Sequence, residues 1–215
     1  MRPVTEFILN MSAGNSGDVL PVMESFYTIQ GEGYHSGRPA FFIRLGGCDI
    51  GCVWCDVKES WSSTGHPRKS CEEIVAEALQ EPSRFVVITG GEPALYDLTR
   101  LTRLLHEKGF EIAVETSGAY PLTGEWDWIC VSPKKFKAPL QENLVKAHEL
   151  KVVINHTSDF DWAEKNAAAV LKHCKLFLQP EFDKFEKHIP SIIDYVKLHP
   201  EWSISLQTHK IIHVP

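Results

Sequence analysis

Residues 46–56 read GGCDIGCVWCD, and the rest of the chain is organised around them. The stretch carries Cys48, Cys52 and Cys55 in a C-x3-C-x2-C array, with Trp54 between the last two. A structural zinc site wants four donors in closed tetrahedral geometry, usually as two C-x2-C pairs, and no second pair follows downstream. Three thiolates suit three irons of a 4Fe-4S cluster, which leaves the fourth iron open to an outside ligand and so points to chemistry. Gly46, Gly47 and Gly51 fit a loop that wraps such a cluster through positive φ angles and close backbone approach. The alternative is three unligated thiols in a loop.

Working outward, the 215 residues are 43% hydrophobic and 23% charged, enough for one domain with a sizeable core. A net charge of −6 and the lack of any Lys/Arg run argue against a nucleic-acid or membrane-surface partner and favour a small substrate. Six cysteines, three of them clustered, read as ligands in a reducing compartment; Cys71, Cys130 and Cys174 are widely spaced and read as buried thiols. The apolar run at 7–9 is too short for a signal-peptide core, and no stretch is long enough for a membrane span, so a cytoplasmic location is expected. The small, polar SAGNSGD at 12–18 reads as a lead-in, so 1–19 is expected to be a flexible extension and 20–215 a single domain.

From residue 20 the chain alternates between β-branched runs and helical patterns. Strands are expected at 22–26, 41–45, 85–89, 110–115, 128–131, 150–154, 176–178 and 202–207. Several are apolar on both faces, as in a parallel sheet covered by helices. Ser70 with Glu73 forms a capping box before IVAEAL, Asp97 opens LTRLLHEK with Gly109 closing it, and Ser158 or Asp159 caps WAEKNAAAVLKHC. This is an α/β chain of βα units, expected as an incomplete, partial TIM-type (β/α) barrel because a closed one takes ~250 residues.

In such a fold, ligand sites lie at the C-terminal ends of the strands. Those ends carry Thr89, Gly90, Gly91, Glu92 and Pro93; Glu115, Thr116, Ser117 and Gly118; Ser132, Pro133 and Lys134; Gln179 and Pro180; and Gln207, Thr208, His209 and Lys210. The GGEP turn is expected to present backbone groups and one carboxylate to an α-amino group.

The three-cysteine array and GGEP on a βα scaffold resemble the radical S-adenosylmethionine superfamily over most of the chain. The resemblance implies S-adenosylmethionine bound at the open iron and cleaved to a 5′-deoxyadenosyl radical that abstracts hydrogen from substrate. It assigns Cys48, Cys52 and Cys55 to the cluster, and Trp54, Gly90, Gly91, Glu92, Glu115, Ser117, Ser132, Lys134 and Gln179 to the cofactor. FYTIQGEG at 26–33, FIRL at 42–45 and QTHK at 207–210 further resemble the 7-carboxy-7-deazaguanine synthase family. That likeness implies ring contraction of 6-carboxy-5,6,7,8-tetrahydropterin with loss of ammonia, in 7-deazapurine (queuosine) biosynthesis.

A pterin needs an acceptor for its amidine N–H groups and donors for its carbonyl, which Gln30, Gly31 and Glu32 can supply. Its carboxylate needs a cationic fork, for which Arg44 is placed, with Thr89 and His209 completing the pocket. The singly considered alternatives are a surface ion pair for Arg44, a turn residue for Glu32 and a core histidine for His209. The family carries Thr or Ser after the Asp that follows the third cysteine, as part of a Mg²⁺ site; Val57 stands there and has no oxygen to offer a hard cation. The tail KIIHVP is apolar, so Ile211, Ile212 and Val214 are expected to pack down and bring the α-carboxylate of Pro215 over the pocket. An outward-facing tail is the alternative. The resemblance also implies an electron donor such as flavodoxin or ferredoxin, and a homodimer. Two rival readings are a radical-generating activase acting on a partner protein and a non-catalytic iron-sulfur or zinc module.

Overall fold

The computed structural model describes residues 17–215. Most of the extension expected at 1–19 therefore lies outside the described residues, while Val19 already begins the first strand. Nine strands form one sheet: β1 (Val19–Ile29), β2 (Pro39–Leu45), β3 (Arg68–Ser70), β4 (Phe85–Gly90), β5 (Glu111–Thr116), β6 (Trp128–Val131), β7 (Glu149–Ile154), β8 (Lys175–Pro180) and β9 (Trp202–Ile204). Their order is β3-β1-β2-β4-β5-β6-β7-β8-β9. β1 runs antiparallel to both its neighbours, and from β2 to β9 every pairing is parallel. The sheet is open, as the chain length requires.

The turn after β1 reaches the far edge of that sheet. Gly33 N donates to Ser205 Oγ at 2.9 Å and Thr208 N donates to Gly31 O at 2.9 Å. The segment QGEG thus joins the turn after β1 to the segment that follows β9, across the opening and without forming a ninth ladder.

Helices α1 (Cys71–Ala78), α2 (Thr99–Glu107), α3 (Gln141–Lys146), α4 (Asp159–Ala167), α5 (Phe185–Leu198) and α6 (Thr208–Ile212) alternate with the strands. The capping box at α1 is present as read: Ser70 Oγ accepts from Glu73 N, and the Glu73 carboxylate accepts from Ser70 N. α4 stops at Ala167 instead of running on to Cys174, because the chain must turn there to enter β8, closing with Cys174 N to Leu171 O. Neither Ser158 nor Asp159 caps it in the expected way; Asp159 instead accepts from Asn155 N and His156 N in the preceding turn. α5 contains Pro190, which masks its helical pattern, yet burial of His188 and Ile192 holds it on the sheet. β3, the charged RKS edge, has no apolar alternation to announce it. β9 ends at Ile204, so the run to 207 is a strand only in its first half.

Two apolar clusters fill the space between the sheet and the helices, one around Ile43, Ile88 and Leu101 and one around Leu150, Val152 and Trp202. A third lies on the concave face and is small: Phe42, Phe85, Val87 and Ala113 with Phe26 and Trp128 against it. Along that face the period-2 rows turn from apolar to polar toward the strand ends, as in Phe42 to Arg44, Val87 to Thr89 and Ala113 to Glu115. The concave face thus has an apolar floor of aromatic and aliphatic side chains and hydrogen-bonding groups above it. Replacing Ser70 by Ala should remove the cap of α1 and cost about 1 kcal/mol, read by denaturant unfolding, with iron binding unchanged.

Candidate active site

A cavity of about 370 Å³ opens at the C-terminal ends of the strands. Cys48, Cys52 and Cys55 line it together with Gln30, Gly31, Glu32, Arg44, Trp54, Thr89, Gly90, Gly91, Glu92, Glu115, Ser117, Ser132, Lys134, Gln179, His209 and Pro215. All the residues assigned from the sequence to cluster, cofactor or substrate thus border one space, while Pro93, Gly118, Pro133 and Thr208 do not line it.

The cysteine loop is fixed by its backbone. Gly47 N donates to Ser60 O, Cys48 N to Trp61 O, and Tyr96 Oη to Gly46 O at 2.6 Å. Gly47 and Gly51 have φ of 101° and 74°, conformations that only glycine adopts cheaply. Gly46 is needed for a different reason, since a Cβ there would sit 2.3 Å from the His66 ring. Burial pushes the Cys48 thiol up to about 11 and raises Cys52 as well, so both are thiols until a metal takes their protons. Three soft donors on one loop, facing a cavity, fit three irons of a cluster with one coordination position left open.

The GGEP turn is tied to this loop: Gly91 N donates to Leu45 O and Glu92 N to Gly47 O, both at 2.8 Å. A Cβ on Gly91 would lie 2.2 Å from Gly47 O, so the two glycine pairs are backbone against backbone. Glu92 departs from expectation. It is 1% exposed, and its carboxylate accepts from Ala94 N, Thr116 Oγ1, Ser117 N and Ser117 Oγ. Instead of standing free for an amino group, it clamps the turn to the end of β5.

The polar centre is one that the sequence did not disclose. Lys151, 2% exposed in the middle of β7, puts Nζ 2.5 Å from Glu32 Oε2 and 2.9 Å from Glu115 Oε2. Gln30 Nε2 donates to Glu115 Oε1, and Gln207 Nε2 donates to Glu32 Oε1. Burial works against the Lys151 charge, but the two carboxylates outweigh it and hold its pKa well above that of a free lysine. Burial likewise raises Glu32, and Lys151 with the Gln207 amide overrides it, bringing the carboxyl down to about 2. The signal available beforehand was a lysine inside an otherwise apolar strand, LKVVI.

His209 packs on the turn after β1, where a Cβ on Gly31 would come within 2.2 Å of Nδ1; burial lowers its pKa. Arg44 lines the cavity, and its Nε donates to Glu24 Oε1 at 2.6 Å, so a substrate carboxylate would meet the Nη edge. Lys134, whose pKa burial lowers, donates to Ser132 O and Oγ and lies 5.3 Å from the Trp54 ring. The tail does not pack through its side chains as expected, since Ile211 and Ile212 are 56% and 52% exposed. It is a short helix, α6, held by Lys210 Nζ to Asp56 Oδ2 at 2.7 Å and by Val214 N to His209 O at 3.1 Å. Pro215 still reaches the cavity because His213 turns the chain with φ 57°.

Residues 42–131 match the Radical SAM superfamily. The chain is 53% identical to the 7-carboxy-7-deazaguanine synthase of Flavobacterium psychrophilum, over 94% of this chain and 96% of that one. It is 46% identical to the enzyme of the same name from Synechocystis, over 95% and 100%. The crystal structure of QueE from Escherichia coli superimposes with a TM-score of 0.78 at 30% identity, covering 96% of this chain and 99% of that one. The chain belongs to the 7-carboxy-7-deazaguanine synthase family. As a radical enzyme of that family it uses a 4Fe-4S cluster and S-adenosylmethionine.

Magnesium is another matter. Val57 lines the cavity but offers no side-chain oxygen, and its carbonyl accepts from Ser60 Oγ at 2.6 Å and Ser60 N at 3.1 Å. This position does not suit a Mg²⁺ ion, and no step is assigned to one.

Replacing Lys151 by Met should destabilise the fold by about 3–5 kcal/mol at neutral pH, because two buried carboxylates lose their shared cation. Glu32 is depressed in the folded state, so its contribution is complete above the unfolded value of 4.5 and is lost as pH falls toward about 2. The gap between wild type and variant, measured by urea unfolding at several pH values, should therefore narrow on acidification.

Proposed function

We propose that this chain makes 7-carboxy-7-deazaguanine, as the names of its relatives suggest, from 6-carboxy-5,6,7,8-tetrahydropterin with loss of ammonia, as the sequence resemblance implies. The observation that carries the reading is the convergence of the cysteine loop, the GGEP turn and the QGEG and QTHK segments on one cavity. Cys48, Cys52 and Cys55 would hold the cluster, and the backbone of Gly90 and Gly91 with Trp54, Ser117, Ser132, Lys134 and Gln179 would line the cofactor side. When bound, the cluster and S-adenosylmethionine supply the adenosyl radical that removes hydrogen from C6 of the substrate.

The residues of this chain do the positioning. The Nη edge of Arg44 takes the substrate carboxylate, with its direction set by Glu24. Glu32 and Glu115 are acceptors for pterin N–H groups, held in place by Lys151. His209 and Thr89 close the sides, and the α-carboxylate of Pro215 offers an acceptor at the mouth. An activase would need an exposed docking face for a protein; here the polar groups are buried around a concave space, which favours a small molecule. Residues 20–215 act as one domain in this reading, with a flavodoxin- or ferredoxin-type reductant, a homodimeric assembly and a cytoplasmic setting. Among the described residues no helix is long and apolar enough to cross a membrane.

The deciding experiment is anaerobic reconstitution and reduction, followed by S-adenosylmethionine and the tetrahydropterin, with the deazapurine sought by mass. Replacing Cys48, Cys52 or Cys55 by Ala should abolish both iron retention and turnover, whereas Cys71, Cys130 and Cys174 variants should keep their iron. Iron loss in one of the latter three would overturn the ligand assignment. Appending one or two glycines after Pro215 should leave the cluster intact and raise KM by at least about tenfold, as expected for a charged hydrogen-bond acceptor moved out of place. Unchanged kinetics would place the terminal carboxylate in solvent.

A further inference from the structure

Beneath the cavity, on the concave face of the sheet, lies a second and much smaller chamber of about 10 Å³. A space of that size takes one water molecule where two or more polar groups line it. Glu32, His35, Glu115 and Glu149 all border it. His35 Nε2 is buried with no hydrogen-bond partner among the described residues, an unfavourable state unless something in the chamber relieves it. Glu149 is 3% exposed, and the hydrogen bonds it accepts from Trp128 Nε1 at 3.0 Å and Tyr34 N at 3.3 Å both end on Oε2. Glu32 and Glu115 border the upper cavity as well, so the two spaces share a wall of carboxylates. At the other end His35 is only partly buried, so the chamber lies between solvent and the substrate site.

We propose that one water molecule occupies this chamber, bonded to His35 Nε2 and Glu149, and passes a proton from solvent at His35 to the Glu115–Lys151–Glu32 network below the substrate. The relay rests on the ring-contraction reading, in which ammonia leaves and is carried off as ammonium. One proton enters at His35, one is added to the departing nitrogen, and no electrons move. Glu149 is faced by Lys151, Glu115 and the Cys130 and Cys174 thiols and shares the chamber wall with Glu32, and His35 is faced by Arg38 and Glu111. Burial lowers the pKa of His35 and raises that of Glu149, biasing each toward its uncharged form. The route is separate from the mouth, which substrate and chain end occupy during turnover.

The test has a structural and a kinetic arm. A high-resolution crystal structure should show a water within hydrogen-bond reach of His35 Nε2, whether or not the cluster is loaded. Glu149→Gln, which keeps the shape and the Trp128 bond, and His35→Ala should each lower kcat by about tenfold or more with KM unchanged. Both should shift the pH profile of product formation, and added imidazole should restore part of the His35→Ala loss. Circular dichroism, iron content and cofactor cleavage without substrate should match wild type. No ordered water, or wild-type rates and pH profiles in both variants, would overturn the relay. Absence of deazapurine from the wild-type enzyme would instead remove the reaction on which the relay rests.

Discussion

A single buried ammonium, that of Lys151, sits where the turn after β1, the end of β5 and the middle of β7 meet. Taking an isolated charge out of water costs several kcal/mol, and only close partners with good geometry repay it. Here Glu32 and Glu115 do so from opposite sides, and each is braced in turn by an amide, Gln207 or Gln30. The arrangement is self-consistent: remove the lysine and the carboxylates repel, remove a carboxylate and the lysine is stranded. It also brings together residues separated by more than a hundred positions, since Glu32 and Lys151 lie 119 apart. The open sheet gains from this a connection across its concave face that hydrogen-bond ladders do not provide.

The same face shows why the site is where it is. Its lower rows are aromatic and aliphatic, so the floor excludes solvent, and β2, β4, β5 and β8 each present a polar residue one step before they end, namely Arg44, Thr89, Glu115 and Gln179. Parallel strands place all of those ends at one level. The cysteine loop and the GGEP turn leave neighbouring strands β2 and β4 at that level and pair through their backbones, which is possible only because Gly47 and Gly91 lack side chains. The position of the cluster ligands relative to the cofactor wall is therefore set by main-chain hydrogen bonds, which a side-chain rotamer change does not disturb.

Charge placement around the site follows burial more than proximity to solvent. Glu32 is kept ionised far below its ordinary pKa, while Glu149, two residues from Lys151 on the same strand and paired to no cation, is pushed the other way. Two carboxyl groups near the same lysine are thus shifted in opposite directions, one in contact with its ammonium and the other not. Glu92 illustrates a third outcome, a carboxylate consumed by four donors of its own chain and so part of the scaffold.

Much of this was legible before any coordinates. The C-x3-C-x2-C spacing, the glycines around it, the capping box at Ser70 and the β-branched runs are local signals, and local chemistry alone determined the cluster loop, α1 and eight of the strand positions to within a few residues. Short apolar alternation could not reveal β3, whose three residues are all polar, nor α5, whose pattern Pro190 interrupts. The apolar tail suggested packing that does not occur, because a helix of five residues anchored by Lys210 and by its backbone leaves Ile211 and Ile212 outside. Sequence determined which chemical groups are present and on which strand ends they stand. Only tertiary structure decided how those groups are paired: that Glu92 is spent within the turn, that Arg44 is steered by Glu24, and that Lys151 joins Glu32 to Glu115. The reason is physical, for a charge's partner and solvation depend on what the fold brings within 3 Å of it, and contacts between residues a hundred positions apart leave no mark in local pattern.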